Sequence, residues 1–65
     1  MRLISVGDSG EPVRDVQHRL RALGYEHAPD PPGEFGEGTD GAVRRFQTDR
    51  GLDPDGSVGI RTWQS

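Results

Sequence analysis

Residues 42–63 read A-V-R-R-F-Q-T-D-R-G-L-D-P-D-G-S-V-G-I-R-T-W, and this stretch decides the predicted fold. Its first part places three side chains at i, i+3 and i+4 on one helical face: Val43, Phe46 and Gln47. Gly51 follows the last periodic residues, where a helix end favours a residue that tolerates positive φ. The D-P-D-G run at 53–56 has the chemistry of a tight turn. A further helix is predicted to begin near Gly59.

An earlier helix is predicted from Glu11 or Pro12 to Leu23, with Ser9 as its N-cap. Its apolar stripe has helical spacing, and Gln17 lies on the same face; the stripe consists of Val13, Val16, Leu20 and Leu23. Gly24 suits the position after the helix end, and Tyr25 is expected to fold back on the last turn. A short apolar segment precedes this helix and consists of Leu3, Ile4 and Val6.

A proline-rich loop at 27–34 separates this helix from the next, which is predicted from Asp40 to Arg50 with Thr39 as N-cap. The last predicted helix carries Ile60, Thr62 and Trp63 and ends at Ser65, so we expect it to be short or cut. The chain is therefore expected to be one domain, residues 1–65, taken from a longer protein and truncated in its last helix.

The sequence repeats itself in two overlapping patterns. Residues 13–17 and 43–47 share V-R-x-(apolar)-Q, while residues 33–39 and 56–62 share G-x-(apolar)-G-x-x-T. The repeated unit is a helix with an apolar-glutamine face, a glycine-framed loop and a threonine that opens the next helix. Because a buried amide must be paired, the two glutamines are expected to bind the backbone of the glycine-framed loops; direct ligand contact is the alternative. The fold class predicted is all-α, a small three-helix bundle with an internal pseudo-repeat.

Composition limits the function. The formal net charge is −3 and all eight basic residues are arginine, which counts against a nucleic-acid partner. The chain contains no cysteine, so it has no disulfide and no thiolate metal site. No stretch approaches the roughly 20 apolar residues of a membrane span, and the first residues lack the apolar core of a signal peptide.

Three motifs resemble those of catalytic or ligand-binding sites, but each has a simpler structural interpretation. Residues 7–10 spell G-D-S-G, yet a serine nucleophile needs a larger scaffold, so Ser9 is interpreted as a cap. Residues 36–41 fit G-x-G-x-x-G, but no strand is predicted before them and their acidic residues would repel phosphate. The D-x-D-G of the turn lacks the remaining ligands of a calcium loop.

The other acidic residues and the histidines suggest no chemistry. His18 and His27 have no partner at metal-ligand spacing, and Glu34 with Glu37 is interpreted as a solvated loop pair. No catalytic residue, metal site or cofactor is predicted.

The order of these motifs resembles a known family. V-x-x-(apolar)-Q-x-x-L-x-x-L-G-Y is followed by G-x-F-G-x-x-T-x-x-A-V-x-x-F-Q and then by G-L-x-x-D-G-x-V-G-x-x-T-W. This order, from about Gly10 to Trp63, resembles the three-helix peptidoglycan-binding domain of bacterial cell-wall hydrolases. Two features depart from the family pattern, since the chain ends before the usual apolar residue after Thr-Trp and no secretion signal is present.

The resemblance implies a non-catalytic module that binds cell-wall peptidoglycan and targets an attached hydrolase to it. An N-terminal copy looks most like the arrangement of N-acetylmuramoyl-L-alanine amidases. The expected ligand is a stem peptide or muropeptide, and the domain is expected to be monomeric. The expected location is the cell envelope or outside the cell if the parent is a wall hydrolase, and the cytoplasm if it is not.

The candidate ligand-binding residues are Tyr25, Arg44, Arg45 and Arg61. Arginine suits the carboxylates of a peptide stem because its planar fork binds them bidentately, although a solvated basic face is the simpler interpretation. Tyr25 and Arg61 are chosen because they lie beside the predicted loops, where aromatic rings stack on sugars. Phe35, Val58 and Trp63 are assigned to the core.

Two rival functions remain. One is a protein-interaction or autoregulatory domain of a cytoplasmic regulator of cell-wall synthesis. The other is a helix-turn-helix DNA reader using the second predicted helix, which the acidic net charge disfavours.

Overall fold

The computed structural model of the chain describes residues 3–59, which form two helices and a small antiparallel sheet. The element order is β1 (Leu3–Ile4), α1 (Glu11–Ala22), α2 (Glu37–Asp49) and β2 (Val58–Gly59). The two strands pair with Leu3 opposite Gly59 and Ile4 opposite Val58. The sheet therefore joins the beginning of the described chain to its end, and α1 packs against α2 between them.

The predicted three-helix bundle is wrong. The described chain holds two helices and a two-stranded sheet, and Gly59, the predicted start of the last helix, lies in β2. The physical reason is backbone hydrogen bonding. After the 53–56 turn, the N–H and C=O groups of Val58 and Gly59 have pairing partners in Leu3 and Ile4, so these residues form a strand. The remainder of the predicted last helix, 60–65, lies outside the described residues.

Most of the core comes from positions that the repeat and the helical spacing selected; Ile4 and Ala42 are additions, and Phe46 is only partly buried. Within residues 3–59, eight apolar side chains are buried: Ile4, Val13, Val16, Leu20, Phe35, Ala42, Val43 and Val58. Phe35 and Val58 occupy equivalent positions of the two glycine-framed loops, as predicted. Leu23 was predicted to be part of the apolar stripe but is 51% exposed, because α1 ends one residue earlier.

Both helices end as the glycines predicted. Gly24 and Gly51 have positive φ, at 94° and 73°, one position beyond each C-cap. The residue after each glycine then donates its N–H back to the last turn, from Tyr25 to Leu20 O (2.8 Å) and from Leu52 to Gln47 O (2.8 Å). This is the Schellman arrangement, and it fixes the direction in which the chain leaves each helix.

The predicted N-caps are wrong. Gly10 and Gly36 occupy the two cap positions, and neither helix has a cap from its own cap side chain. Ser9 instead forms an isolated antiparallel bridge with Glu34. Thr39 is fully buried within α2, where its hydroxyl accepts a hydrogen bond from Gln17.

Asp30, from the proline-rich loop, caps α2 in place of Thr39. Its carboxylate accepts hydrogen bonds from the backbone N–H groups of Gly36 (2.9 Å), Gly38 (3.2 Å) and Thr39 (2.6 Å). Partial burial raises the pKa of Asp30, but these donations together outweigh burial and the pKa is lowered. A carboxylate at a helix N-terminus is also favoured by the helix dipole.

The buried glutamines clamp the loops, which confirms their predicted structural role. Gln17 donates to Glu34 O (2.9 Å) and accepts from Gly33 N (2.7 Å). Gln47 repeats this pattern one unit later, donating to Ser57 O (2.9 Å) and accepting from Gly56 N (3.1 Å). Each amide therefore satisfies a loop in both directions, and the pseudo-repeat is present at the level of individual hydrogen bonds.

Candidate ligand-binding groove

An open groove of about 390 Å³ lies between the end of α1 and one face of α2. It contains three of the four residues that the sequence selected, Tyr25, Arg44 and Arg45, and it is completed by Gly24, Thr48 and Asp49. Arg61, the fourth, lies outside the described residues. The groove exists because the Schellman exit at Gly24 turns the chain back across α2 rather than letting α1 continue.

Tyr25 is held in place by its ring and by its hydroxyl. The ring makes an edge-to-face contact with Phe46, with centroids 5.9 Å apart. The hydroxyl donates a short hydrogen bond to Asp49 Oδ2. That hydrogen bond, with smaller contributions from burial and from the charge of Asp49, raises the pKa of Tyr25. Tyr25 is therefore a neutral phenol with its proton committed to Asp49, and its oxygen keeps the capacity to accept a hydrogen bond.

Arg44 is engaged with the second glycine-framed loop. Its Nε donates to Asp40 Oδ2 (3.0 Å), and its Nη1 donates to Pro54 O (2.6 Å). A side-chain carbon placed at Gly56 would collide with Asp40 and press on the Arg44 guanidinium, so this ion pair lies directly over that glycine. The side chain of Arg44 therefore braces the loop, and only part of its hydrogen-bonding capacity faces the groove.

Arg45 is the less constrained arginine. Its contacts are two carbonyl oxygens at the outer limit of hydrogen bonding, Gly41 O at 3.4 Å and Glu26 O at 3.5 Å. It forms no ion pair with any residue in the described range 3–59. Its guanidinium can therefore turn toward a ligand while losing only these two long hydrogen bonds, unlike the guanidinium of Arg44.

Sequence reasoning missed Thr48 and Asp49, which complete the floor and rim of the groove. The Thr48 hydroxyl donates to Arg44 O (2.9 Å), and Asp49 accepts the hydrogen bond from the Tyr25 hydroxyl. A signal for both was present, since they follow Arg44 and Arg45 by four residues and so lie one turn further along the same face of α2.

The motifs set aside at the sequence level have structural roles. The backbone donors at the G-x-G-x-x-G of 36–41 are directed at Asp30, so an internal carboxylate occupies the position a phosphate would need. In the 53–56 turn, Asp55 accepts from Ser57 N (2.9 Å) and from Gln47 Nε2 (3.0 Å), and these two bonds lower the pKa of Asp55.

The described residues offer no alternative site of the kinds that were considered. Between Leu3 and Gly59, no group of three or more His, Asp or Glu side chains is arranged to hold a metal ion. Neither of the helices in that range is long and apolar enough to cross a membrane.

Residues 9–65 match the family described as "Putative peptidoglycan binding domain", and the chain belongs to this family. The match covers most of the chain, including the groove and both glutamine clamps. It confirms the identification made from the order of the motifs, and with it the interpretation of the chain as a peptidoglycan-binding module.

Curated relatives place similar domains in cell-wall enzymes. The chain is 41% identical over 63 residues to the spore cortex-lytic enzyme of Bacillus cereus, covering 97% of this chain and 24% of that protein. It is 43% identical over 63 residues to the zinc D-Ala-D-Ala carboxypeptidase of Streptomyces albus G, covering 92% of this chain and 24% of that protein. An uncharacterised protein of Kitasatospora aureofaciens is 47% identical over 62 residues, covering 94% of this chain and 52% of that protein. The chain thus spans between a quarter and about half the length of these relatives.

Solved structures share the fold. The crystal structure of the SleB N-terminal domain superposes with a TM-score of 0.85 at 41% identity, covering 97% of this chain and 85% of that one. A fused Zn-dependent amidase/peptidase/peptidoglycan-binding protein from Clostridium acetobutylicum superposes with a TM-score of 0.84 at 38% identity, covering 97% of this chain and 28% of that one. The arrangement described above is therefore shared with the N-terminal domain of one protein and with part of a fused amidase/peptidase/peptidoglycan-binding protein.

Proposed function

We propose that the domain binds the peptide stem of peptidoglycan in the groove between α1 and α2, through Tyr25 and Arg45, with Arg44 at the rim. The observation that carries this proposal is the pairing of a weakly held guanidinium with a fixed tyrosine in one open groove. Arg61, outside the described residues, is retained in the proposed site on the sequence pattern alone.

The chemistry of the groove suits a short acidic peptide attached to sugar. The guanidinium of Arg45 can bind a stem carboxylate in a bidentate manner. The Tyr25 oxygen can accept a hydrogen bond from a ligand N–H or O–H, because its own O–H points to Asp49 and leaves the oxygen lone pairs available. The net charge of −3 means that the domain as a whole does not attract acidic ligands, so local arginines must supply the attraction.

The biological role that follows is targeting. A domain of modest affinity that is tethered to a catalytic domain raises the local concentration of that enzyme at its polymer. We propose residues 1–65 as this monomeric domain and a cell-wall hydrolase as its parent, supported by the cortex-lytic enzyme and carboxypeptidase among its relatives. An amidase is the parent class we propose to test first, supported by the fused amidase/peptidase of similar structure.

Co-sedimentation of the purified domain with insoluble peptidoglycan tests the proposal. Arg45→Gln and Tyr25→Ala are expected to reduce the bound fraction strongly, while Arg19→Gln, an exposed arginine of α1 outside the groove, is the matched control and should bind like the wild type. If the wild-type domain does not sediment with the wall, the proposal fails and a protein partner becomes the better account.

A further inference from the structure

Two opposite charges in the groove are neighbours on α2 but do not pair. Arg45 and Asp49 are four residues apart, a spacing at which side chains on a helix lie about 5–6 Å apart at Cβ and commonly form an ion pair. No such pair forms between them here. The order contributes, because a cation N-terminal to an anion is the weaker orientation for an i, i+4 pair.

Each of the two charges is held apart by a different partner. Asp49 Oδ2 is taken by the Tyr25 hydroxyl, which turns the carboxylate toward the end of α1. Arg45 donates instead to two backbone carbonyl oxygens, Glu26 O and Gly41 O. Asp49 Oδ1 accepts no hydrogen bond from residues 3–59, so an acceptor and a weakly held donor fork remain available in the same groove.

We propose that the groove recognises a zwitterionic amino-acid head group, with its carboxylate on Arg45 and its ammonium on Asp49. This inference rests on the proposed function and names the part of the stem that is bound. A carboxylate and an ammonium on one carbon fit between two opposite charges one helical turn apart, and such a ligand satisfies both charges without changing the net charge of the groove.

The stem chemistry that provides this group is a diamino dicarboxylic residue whose side chain ends in a free amino acid, as meso-diaminopimelate does. A lysine at the same position carries the ammonium without the carboxylate. An amidated diaminopimelate keeps the ammonium and converts the carboxylate to an amide. All three side chains keep the ammonium, so differences in affinity among them report on the carboxylate contact with Arg45, whereas the ammonium contact is tested by changing Asp49.

Calorimetric titration with three soluble muropeptides that differ only in this residue tests the inference. The wild-type domain is expected to bind the free diaminopimelate form about 10-fold more tightly than the amidated or lysine form, the effect of one charge-assisted contact. Arg45→Gln should remove that preference by weakening only the free form about 10-fold. Asp49→Asn retains an oxygen that accepts from Tyr25, and it should weaken all three ligands by a similar factor.

Asp15→Asn and Arg19→Gln, at exposed positions of α1 outside the groove, are the matched controls and should leave all three affinities unchanged. Equal wild-type affinity for the three ligands, or an Arg45→Gln variant that weakens all of them equally, would overturn the zwitterion assignment while leaving peptidoglycan binding intact. Absence of binding to any of the three would overturn the proposed function together with this inference.

Discussion

Arg44 and Arg45 are adjacent on α2 but contact different parts of the domain. Residues next to each other on a helix point in directions about 100° apart, so Arg44 reaches the second glycine-framed loop while Arg45 reaches the chain leaving α1. The sequence selected both as ligand-binding candidates. The contacts of Arg44 assign it a structural role as well, whereas Arg45 has no firm partner among residues 3–59.

This difference predicts opposite results for two single substitutions. Arg44→Gln should lower the free energy of unfolding by about 1 kcal/mol, because it removes a charged donor from Pro54 O and an exposed ion pair that contributes little. Arg45→Gln should change it by less than about 0.5 kcal/mol. Urea unfolding followed by circular dichroism measures both, and an equal loss in the two variants would contradict the assigned roles.

The carboxylate of Asp30 is the second residue with a specific prediction. Asp30→Asn replaces one acceptor oxygen with a donor facing backbone N–H groups, and should destabilise the domain by about 1–2 kcal/mol at pH 7. Asp15→Asn, an exposed carboxylate of α1, is the control and should have little effect.

The effect of Asp30→Asn should also depend on pH. The folded-state pKa of Asp30 is lowered, so its stabilising contribution is complete above the unfolded pKa of about 3.9 and is lost as the pH falls through the folded value. The stability difference between the wild type and the variant should therefore be constant above about pH 5 and shrink below pH 4. A difference that grows on acidification would contradict the assignment of Asp30 as an ionised cap.

At the scale of elements, two glycines of α2 provide a matched pair. A side-chain carbon at Gly38 would collide with the carbonyl oxygens of His27 and Ala28, because the proline-rich loop packs directly on the first turn of α2. Gly41 has helical backbone and nothing within 4 Å of such a carbon.

Gly38→Ala should therefore destabilise the domain by more than about 2 kcal/mol, whereas Gly41→Ala should stabilise it by about 0.5–1 kcal/mol through helix propensity. Thermal unfolding of the two variants provides the measurement. A Gly38→Ala variant as stable as the wild type would mean that the loop does not pack on α2 as described.

The glutamine clamps connect each helix to its loop, and their loss should not be equal. Gln17→Ala leaves the buried Gly33 N–H without its acceptor and the Thr39 hydroxyl with only a long hydrogen bond to Glu34 O (3.5 Å), and should cost about 3 kcal/mol. Gln47→Ala affects a loop whose residues 53–55 are exposed to water, and should cost about 2 kcal/mol. Gln17→Met keeps the side-chain volume but cannot form these hydrogen bonds, so it separates their contribution from that of packing. In urea titrations it should be nearly as destabilised as Gln17→Ala.

The helices, their glycine exits and the glutamine clamps were predicted from the sequence because each depends on local spacing or on an internal repeat. Val13, Val16 and Leu20 recur at helical spacing, and Gly24 follows this stripe. Gly51 follows the corresponding stripe of the second helix. The capping of α2 was not predicted, since Asp30 precedes that helix by several residues and nothing local marks it as the acceptor.

At the scale of the whole molecule, the incorrect prediction was the three-helix bundle, since the described residues 3–59 form two helices and a two-stranded sheet. The strands β1 and β2 have two residues each, which is too short for an alternating pattern to be visible. The two strands pair with each other from opposite ends of the described chain. The pairing of Ile4 with Val58 buries both side chains against the helices. This long-range pairing places Gly59, the predicted start of the last helix, in a strand opposite Leu3.

The groove was predicted only in part for a related reason. Tyr25 and Arg45 were selected by residue type and position, but their meeting depends on the chain reversing at Gly24, and the role of Asp49 depends on the hydroxyl of Tyr25 reaching α2. These are contacts between elements, so residue spacing within one helix identifies the candidates but not their pairing.

The most direct test of the central claim is an NMR titration of the isotopically labelled domain with soluble muropeptides. If the ligand binds between Tyr25 and Arg45, localised amide shifts are expected at Gly24, Tyr25, Arg45 and Asp49, with the glutamine-clamped loops unchanged. Shifts confined to the exposed face of α1, or no shifts at millimolar ligand, would contradict it.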